Sequence, residues 1–228
     1  MERKEFRDLA PPERAHEVIA GLDLSPGTER VPLVDARERV LGERVDAGLD
    51  VPGFDRASVD GYAVQAADTF DAGEASPVSL THLGAVHAGE PADVAVEPDG
   101  CVEVSTGSVL PPGADAVVMV EDTETAGDEV LVRDRVAPGD RVMFAGADVA
   151  AGDRALGPGT TLTSREVGLL SALGLDEVPV RARPRVGIVS TGDELVRPGE
   201  PLDSARGEIY DVNSYSVAAA VEEAGGVP

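Results

Sequence analysis

Four short segments carry side chains able to do chemistry. The first is DRASVDGYAV (residues 55–64), which sets Asp55, Arg56, Ser58 and Asp60 beside a Gly-Tyr pair. A carboxylate such as Asp60 could move a proton or hold a cation. The same Asp-Gly step between short apolar residues is also a strong hairpin signal, so Asp60 could equally occupy a turn. The second segment is STG (105–107), where Thr106 could donate to an oxyanion or could, with Gly107, simply end a strand. The third is GAD (146–148), whose Asp148 is one acid among many in an acidic chain. The fourth is VGIVSTGDELV (186–196), a mostly apolar run, Val186–Val189, that breaks into a polar, glycine-containing loop. That pattern fits the first buried strand of a parallel α/β sheet with its functional loop at the carboxyl end. The loop offers the hydroxyls of Ser190 and Thr191, a Gly192 that lets backbone approach a ligand, and the carboxylates of Asp193 and Glu194. Glu194 could instead cap the short segment that follows.

Charge excludes some functions. Asp and Glu number 43 against 19 Lys and Arg, for a net charge of −24, and every basic residue but Lys4 is arginine. The acids are dispersed along the chain. Such a surface repels nucleic-acid phosphate, so DNA or RNA binding is not expected. A dispersed acidic excess with almost no lysine matches proteins of salt-loving organisms, since high salt screens the self-repulsion that strains a compact acidic chain. The expected result is a melting temperature that rises between low and molar salt; a flat or falling curve would refute a halophilic design. The one cysteine, Cys101, lies in the strand-like DGCVEVSTG and reads as a buried structural thiol, with no internal disulfide available. His16, His82 and His87 are too scattered to suggest a zinc site and read as incidental. No stretch is long and apolar enough to span a membrane, and the charged N-terminus lacks the apolar core of a secretory signal, so a cytoplasmic location is expected.

The elements that must position these groups fall into three stretches. Residues 9–24 read as a helix, with Leu9, Ala15, Val18, Ile19 and Leu22 near helical spacing and Pro11 and Pro12 in its first turn. VPLVDARERVLGERVDA (31–47) continues as a second amphipathic stretch. From about residue 50 to 148, short valine-rich runs bounded by Gly, Pro or Asp indicate a small β domain. A helix then opens at Thr163, which with Glu166 makes a capping box, places Val167, Leu170 and Leu173 on one face, and stops at Gly174. Helix on both sides of a β block implies that the β domain is inserted into an α-rich one. From about residue 183 an α/β unit begins, with a helix capped by Asn213, carrying Val217, Ala220, Val221 and Ala224 along one face and ending at Gly225. Asp211 and Asn213 are assigned to the helix start rather than to a ligand. One parallel strand and one crossover helix cannot make a sheet, so the chain is expected to be a fragment that stops inside a domain and to be inactive as an isolated segment.

Three segments in order resemble the molybdopterin molybdenumtransferase family, which includes the E domain of gephyrin. They are VPGFDRASVDGYAV; STGSVLPPGADAVVMVED with GADVAAGDRALGPGTTLTSREVGLLSALGLDEVPV; and VGIVSTGDELVRPGEPLDSARGEIYDVNSYSVAAAVEEAGG. The resemblance implies a multi-domain α+β fold. An elongated mixed domain (1–50 and 149–182) is interrupted by a β domain (51–148) and followed by the start of a three-layer α/β domain (183–228) like that of molybdopterin adenylyltransferases. It also implies a homodimer whose site lies between the α/β domain of one subunit and the β domain of the other. The implied reaction inserts molybdate into adenylylated molybdopterin, with release of AMP and with a divalent metal, Mg2+, present. Molybdopterin adenylyltransferase would act upstream.

On this resemblance Asp60, Asp148 and Glu194 are catalytic, Thr106, Ser190, Thr191 and Gly192 bind substrate, and Glu194 with Asp193 holds the metal. Cleaving a phosphoanhydride calls for a cation on the phosphate oxygens, carboxylates to hold it and a positioned nucleophile. A non-catalytic scaffold of the same fold and a tungstate-handling paralogue are the alternatives. Two departures stand out. Val59 replaces the family's usual methionine, and RVMFAGAD is more apolar before Asp148 than in many members, with Ala147 unable to supply the carboxylate often found there.

Overall fold

The computed structural model describes residues 11–22 and 25–228. Its helices are α1 (Pro12–Ala20), α2 (Ser164–Ala172) and α3 (Asn213–Glu223). The strands, in chain order, are β1 (Thr28–Pro32), β2 (Val45–Asp46), β3 (Arg56–Ala57), β4 (Gly61–Val64), β5 (Val78–Val86), β6 (Gly100–Val104) and β7 (Ala116–Met119). They continue with β8 (Thr123–Ala126), β9 (Glu129–Val132), β10 (Val142–Met143), β11 (Arg154–Leu156), β12 (Glu177–Arg181), β13 (Leu195–Val196) and β14 (Ile209–Tyr210). The structure is mixed α/β.

The largest sheet has six strands in the order β7-β4-β6-β5-β9-β8. All its pairings are antiparallel except β5 with β6. Side chains alternate across a pleated strand, and both faces of this sheet bury apolar groups. Tyr62, Val64, Leu80, Cys101, Val118 and Val130 pack on one face, and Ala63, Val86, Val102, Val104 and Val117 on the other. Cys101 is fully buried, and burial pushes its thiol up to about 12, as suits a structural residue and not a nucleophile.

A separate core joins chain from before and after this sheet. Ala36, Leu41, Val45 and Ala47 pack with Leu162, Leu170, Leu173, Val178 and Val180. β1 pairs antiparallel with β12 over five residues, Thr28 with Arg181 through Pro32 with Glu177. Arg39, only 9% exposed, locks this junction: its Nη2 donates to the Arg181 carbonyl at 2.7 Å and pairs with Glu29 at 2.5 Å.

Helix α2 begins as its capping box predicts. The Thr163 hydroxyl accepts from the Arg165 N–H, and the Thr163 N–H donates back to the Glu166 carboxylate at 3.0 Å. The Thr163 hydroxyl, Arg165 and the Thr163 N–H together draw the Glu166 carboxyl down to about 2. Gly174, at φ +75°, closes the helix. In α1, Pro12 is the first helical residue and Pro11 the cap; the helix ends at Ala20, before the expected Leu22, with Gly21 as its C-cap, and residues 9–10 and 23–24 lie outside the described residues.

Three expectations are corrected. Residues 31–47 are not a helix: after β1 comes a 3₁₀ turn, Leu33–Asp35, then bridges from Val40 to Thr161 and from Leu41 to Val180, then β2. Apolar residues spaced along that stretch pack into the second core from an extended path. Val186–Val189 is not a buried strand; Val189 is 84% exposed, and the segment's one bridge joins Arg185 to Val227. A strand needs a continuous hydrogen-bonding neighbour, and here the Val186 N–H reaches the Val227 carbonyl at 2.9 Å while no backbone bond continues the ladder over 187–189 among the described residues. Asn213 is the first helical residue of α3 and not its cap. Asp211 does the capping, its Oδ1 accepting from the Ser214 N–H at 3.0 Å.

Candidate functional site

Asp60 stands immediately before β4, a central strand of the six-stranded sheet. The Asp60–Gly61 step does not make a hairpin. The short strand before it, β3, pairs with β10, while β4 pairs with β6 and β7. Gly61 is required for a different reason. It pairs with Val104 on one side and Met119 on the other, and a Cβ at this position would lie 1.9 Å from the Val118 carbonyl oxygen. Close backbone approach, not turn geometry, selects glycine here.

Asp60 is gripped by Thr106, in the loop after β6. The Thr106 N–H donates to Asp60 Oδ1 at 2.6 Å and the Thr106 hydroxyl to the same oxygen at 3.0 Å. These bonds favour the charged form, the backbone donor more than the hydroxyl, and hold the carboxyl below its ordinary range. Both residues are exposed, so the pair is a fixed negative charge open to solvent. The Thr106 turn is itself held, since Gly107 N–H donates to the Ala57 carbonyl and Ala57 N–H to the Ser108 carbonyl.

A third loop is stapled to the same place. Ser58 donates to the Arg141 carbonyl through both its N–H (2.9 Å) and its hydroxyl (2.8 Å). Asp55 Oδ1 accepts from the Ala145 N–H at 2.8 Å, and the Asp148 N–H donates to the Val51 carbonyl at 2.9 Å. Loops 50–60, 105–110 and 139–149 therefore meet at one end of the sheet. The Asp148 side chain is exposed on the third of them, and no hydrogen bond or ion pair joins it to Asp60 among the described residues.

The remaining candidates lie in the segment from 183 onward. Ser190 Oγ donates to Asp211 Oδ1 at 3.1 Å and lies 2.9 Å from Ser214 Oγ, while Ser214 Oγ donates to Asp211 Oδ2 at 2.5 Å. Asp211 is thereby held ionised, by the Ser214 hydroxyl first and its N–H next. The Ser190 hydroxyl is thus engaged within the chain by Asp211, assigned by sequence only to a helix start, and by Ser214, which the sequence did not single out. Gly192 and Glu194 sit in one turn, closed by Leu195 N–H donating to the Gly192 carbonyl at 3.2 Å. The Glu194 carboxylate folds over Gly192, where a Cβ would lie 2.6 Å from Oε1. Thr191, Asp193 and Glu194 are exposed.

The structure therefore brings Asp60 to Thr106 and Gly192 to Glu194, but among the described residues no bond links these two groups. No group of three His, Cys, Asp or Glu residues suited to a metal ion occurs among the described residues.

A family described as MoeA N-terminal region (domain I and II) matches residues 10–174, a stretch that contains Asp60, Thr106 and Asp148. The chain belongs to this family. It is 43% identical over 195 residues to molybdopterin molybdenumtransferase 2 of Mycobacterium tuberculosis, covering 86% of this chain and 48% of that protein. It is 35% identical over 228 residues to molybdopterin molybdenumtransferase of Bacillus subtilis, covering 98% of this chain and 53% of that one. Among solved structures, the molybdopterin biosynthesis MoeA protein of Pyrococcus horikoshii superposes with a TM-score of 0.85 at 41% identity, over 97% of this chain and 59% of the other. The chain thus spans about half the length of the curated relatives it matches. Within this MoeA-family chain, the sequence marks His87 only as incidental and does not single out Ser105, yet the two lie beside the Asp60–Thr106 pair with His87 Nδ1 3.0 Å from Ser105 Oγ. Each stands one residue past a valine-ended strand, and only the strand register reveals that they are neighbours.

Proposed function

We propose that this protein is a molybdopterin molybdenumtransferase, which inserts molybdate into adenylylated molybdopterin with release of AMP during molybdenum cofactor biosynthesis. The observation that carries the reading is the Asp60–Thr106 pair. An ionised carboxylate fixed by two donors at the meeting point of three loops suits proton transfer or electrostatic control beside a phosphoanhydride. Membership of the MoeA family and the names of its relatives support the same activity. A scaffold of the same fold has no need of such a carboxylate.

In this reading the chain comprises an elongated domain (1–50 and 149–182), an inserted β domain (51–148) and the beginning of a three-layer α/β domain (183–228). It works as a homodimer in the cytoplasm, downstream of molybdopterin adenylyltransferase. Among the described residues no helix is long and apolar enough to cross a membrane. Asp148 and Glu194 act with Asp60, and Thr191 with Gly192 contacts substrate. Mg2+ belongs to the reading through the family resemblance alone. Among the described residues no set of three donors is gathered.

The test is to supply the purified full-length gene product with adenylylated molybdopterin and molybdate, then measure AMP and the ability of the product to activate a cofactor-free molybdoenzyme. Release of AMP with active cofactor is the expected result. Dimerisation without turnover would favour the scaffold, and turnover with tungstate but not molybdate would favour the paralogue.

A further inference from the structure

The register of three adjacent strands places Gly61, Val104 and Val86 level with one another. Gly61 pairs with Val104 across β4 and β6, and Val86 pairs with Val104 across β5 and β6. The next residues outward are Asp60, Ser105 and His87, so the three form a row at one end of the sheet. With neighbouring strands about 4.8 Å apart, the row is about 10 Å wide. Val86 and Val104 both point into the same apolar cluster, which turns Ser105 and His87 to the opposite face.

Residues 105 and 106 serve opposite neighbours. Thr106 donates to Asp60 on one side, and Ser105 Oγ meets His87 Nδ1 at 3.0 Å on the other. The Ser105 N–H donates to the Val86 carbonyl at 3.3 Å, and the His87 N–H to the Glu90 carboxylate at 3.2 Å. The imidazole is therefore oriented by its Nδ1, while its Nε2 has no partner among the described residues and the side chain is exposed. A ring fixed through one nitrogen presents the other in a set direction.

We infer that His87, oriented by Ser105, is a substrate-positioning residue that donates from Nε2 to a phosphate oxygen of a ligand lying along the row from Asp60. The inference rests on the phosphate-bearing substrate proposed above. Charge decides which end of the row takes the anion. Asp60 is negative and has already engaged both donors of Thr106, and Glu90 is bound to the His87 backbone. His87 is the one side chain of the row that can bring a positive charge. When the Ser105 hydroxyl donates to Nδ1, the neutral ring also carries its proton on Nε2, so either form presents a donor.

Two measurements test this. The chain has three histidines, His16, His82 and His87, so their ring proton signals in NMR can be assigned with a His87→Gln variant. Titration with inorganic pyrophosphate is expected to move the His87 signal saturably, to leave His16 and His82 in place, and to need several-fold more ligand in Ser105→Ala. In turnover, His87→Gln is expected to raise the KM for adenylylated molybdopterin about tenfold with kcat little changed, the loss of one hydrogen bond to a charged group. A motionless His87 signal, an equal shift of His16, or an unchanged KM overturns the inference. If the wild type releases no AMP yet its His87 signal titrates, the proposed reaction fails and this site stands. If AMP is released while His87 is inert, the reaction stands and this site fails.

Discussion

Gly61→Ala is expected to destabilise the six-stranded sheet strongly. The added Cβ would lie 1.9 Å from the Val118 carbonyl oxygen, 2.9 Å from its carbon and 3.1 Å from Met119 Cα. All three are backbone atoms of the neighbouring strand, and no side-chain rotation relieves them. β4 is also flanked by β6, so it cannot step away without breaking that ladder. The cost should reach about 3 kcal/mol or more, at or beyond the usual range for overpacking. For a chain of this size that lowers the melting temperature by roughly 6–12 °C. Gly168→Ala is the control of opposite sign. Gly168 lies inside α2 with nothing within 4 Å of a new Cβ, so alanine should stabilise by about 0.5–1 kcal/mol through helix propensity alone. Thermal melts followed by circular dichroism read both. A Gly61→Ala melt within about 2 °C of wild type, less than about 1 kcal/mol, would mean the strand tolerates displacement.

The same glycine shows what the sequence made legible. Asp-Gly between apolar residues signals a hairpin because local turn chemistry is all that a short window contains. Here the decisive neighbour is Val118, far along the chain, and the glycine is set by strand packing. Local signals succeeded where the physics is local. The Thr163–Glu166 capping box, the positive-φ Gly174 and the valine-rich strands β5, β6, β7 and β9 all follow from nearby residues. Pairing between distant segments did not show. β1 finds β12 across the whole intervening sheet, and that pairing turned an amphipathic stretch near residue 40 into extended chain. The run Val186–Val189 has strand composition, yet composition supplies no partner, and the run stays unpaired apart from one bridge at Arg185. The site divides in the same way. Asp60 and Thr106 could be named from their motifs, but their contact depends on the antiparallel register of β4 with β6, and the place of His87 beside them on the parallel register of β5 with β6.

Asp60→Asn should leave the fold intact and remove most of the turnover. The residue is exposed, and the asparagine oxygen can still accept the Thr106 N–H, so the loop keeps its shape while the charge is lost. A loss of about 10²- to 10⁴-fold in AMP release is expected if the carboxylate transfers a proton. Wild-type turnover in a correctly folded Asp60→Asn protein would remove Asp60 from the mechanism. Thr106→Val separates the contributions, because it deletes the hydroxyl and keeps the N–H. Asp60 is held low by the backbone donor first and the hydroxyl second. A depressed carboxyl stays ionised as pH falls through the ordinary carboxylate range, so the acid limb of the wild-type pH–rate profile should lie below that range. Losing the hydroxyl should move this limb upward but only part of the way. Glu194→Gln should abolish turnover as well, although among the described residues no bond joins Glu194 to Asp60. If the two carboxylates serve one site shared between subunits, mixing the Asp60→Asn and Glu194→Gln proteins and allowing subunits to exchange should restore activity that neither has alone. No recovery after verified exchange would place both residues in a site formed by a single chain.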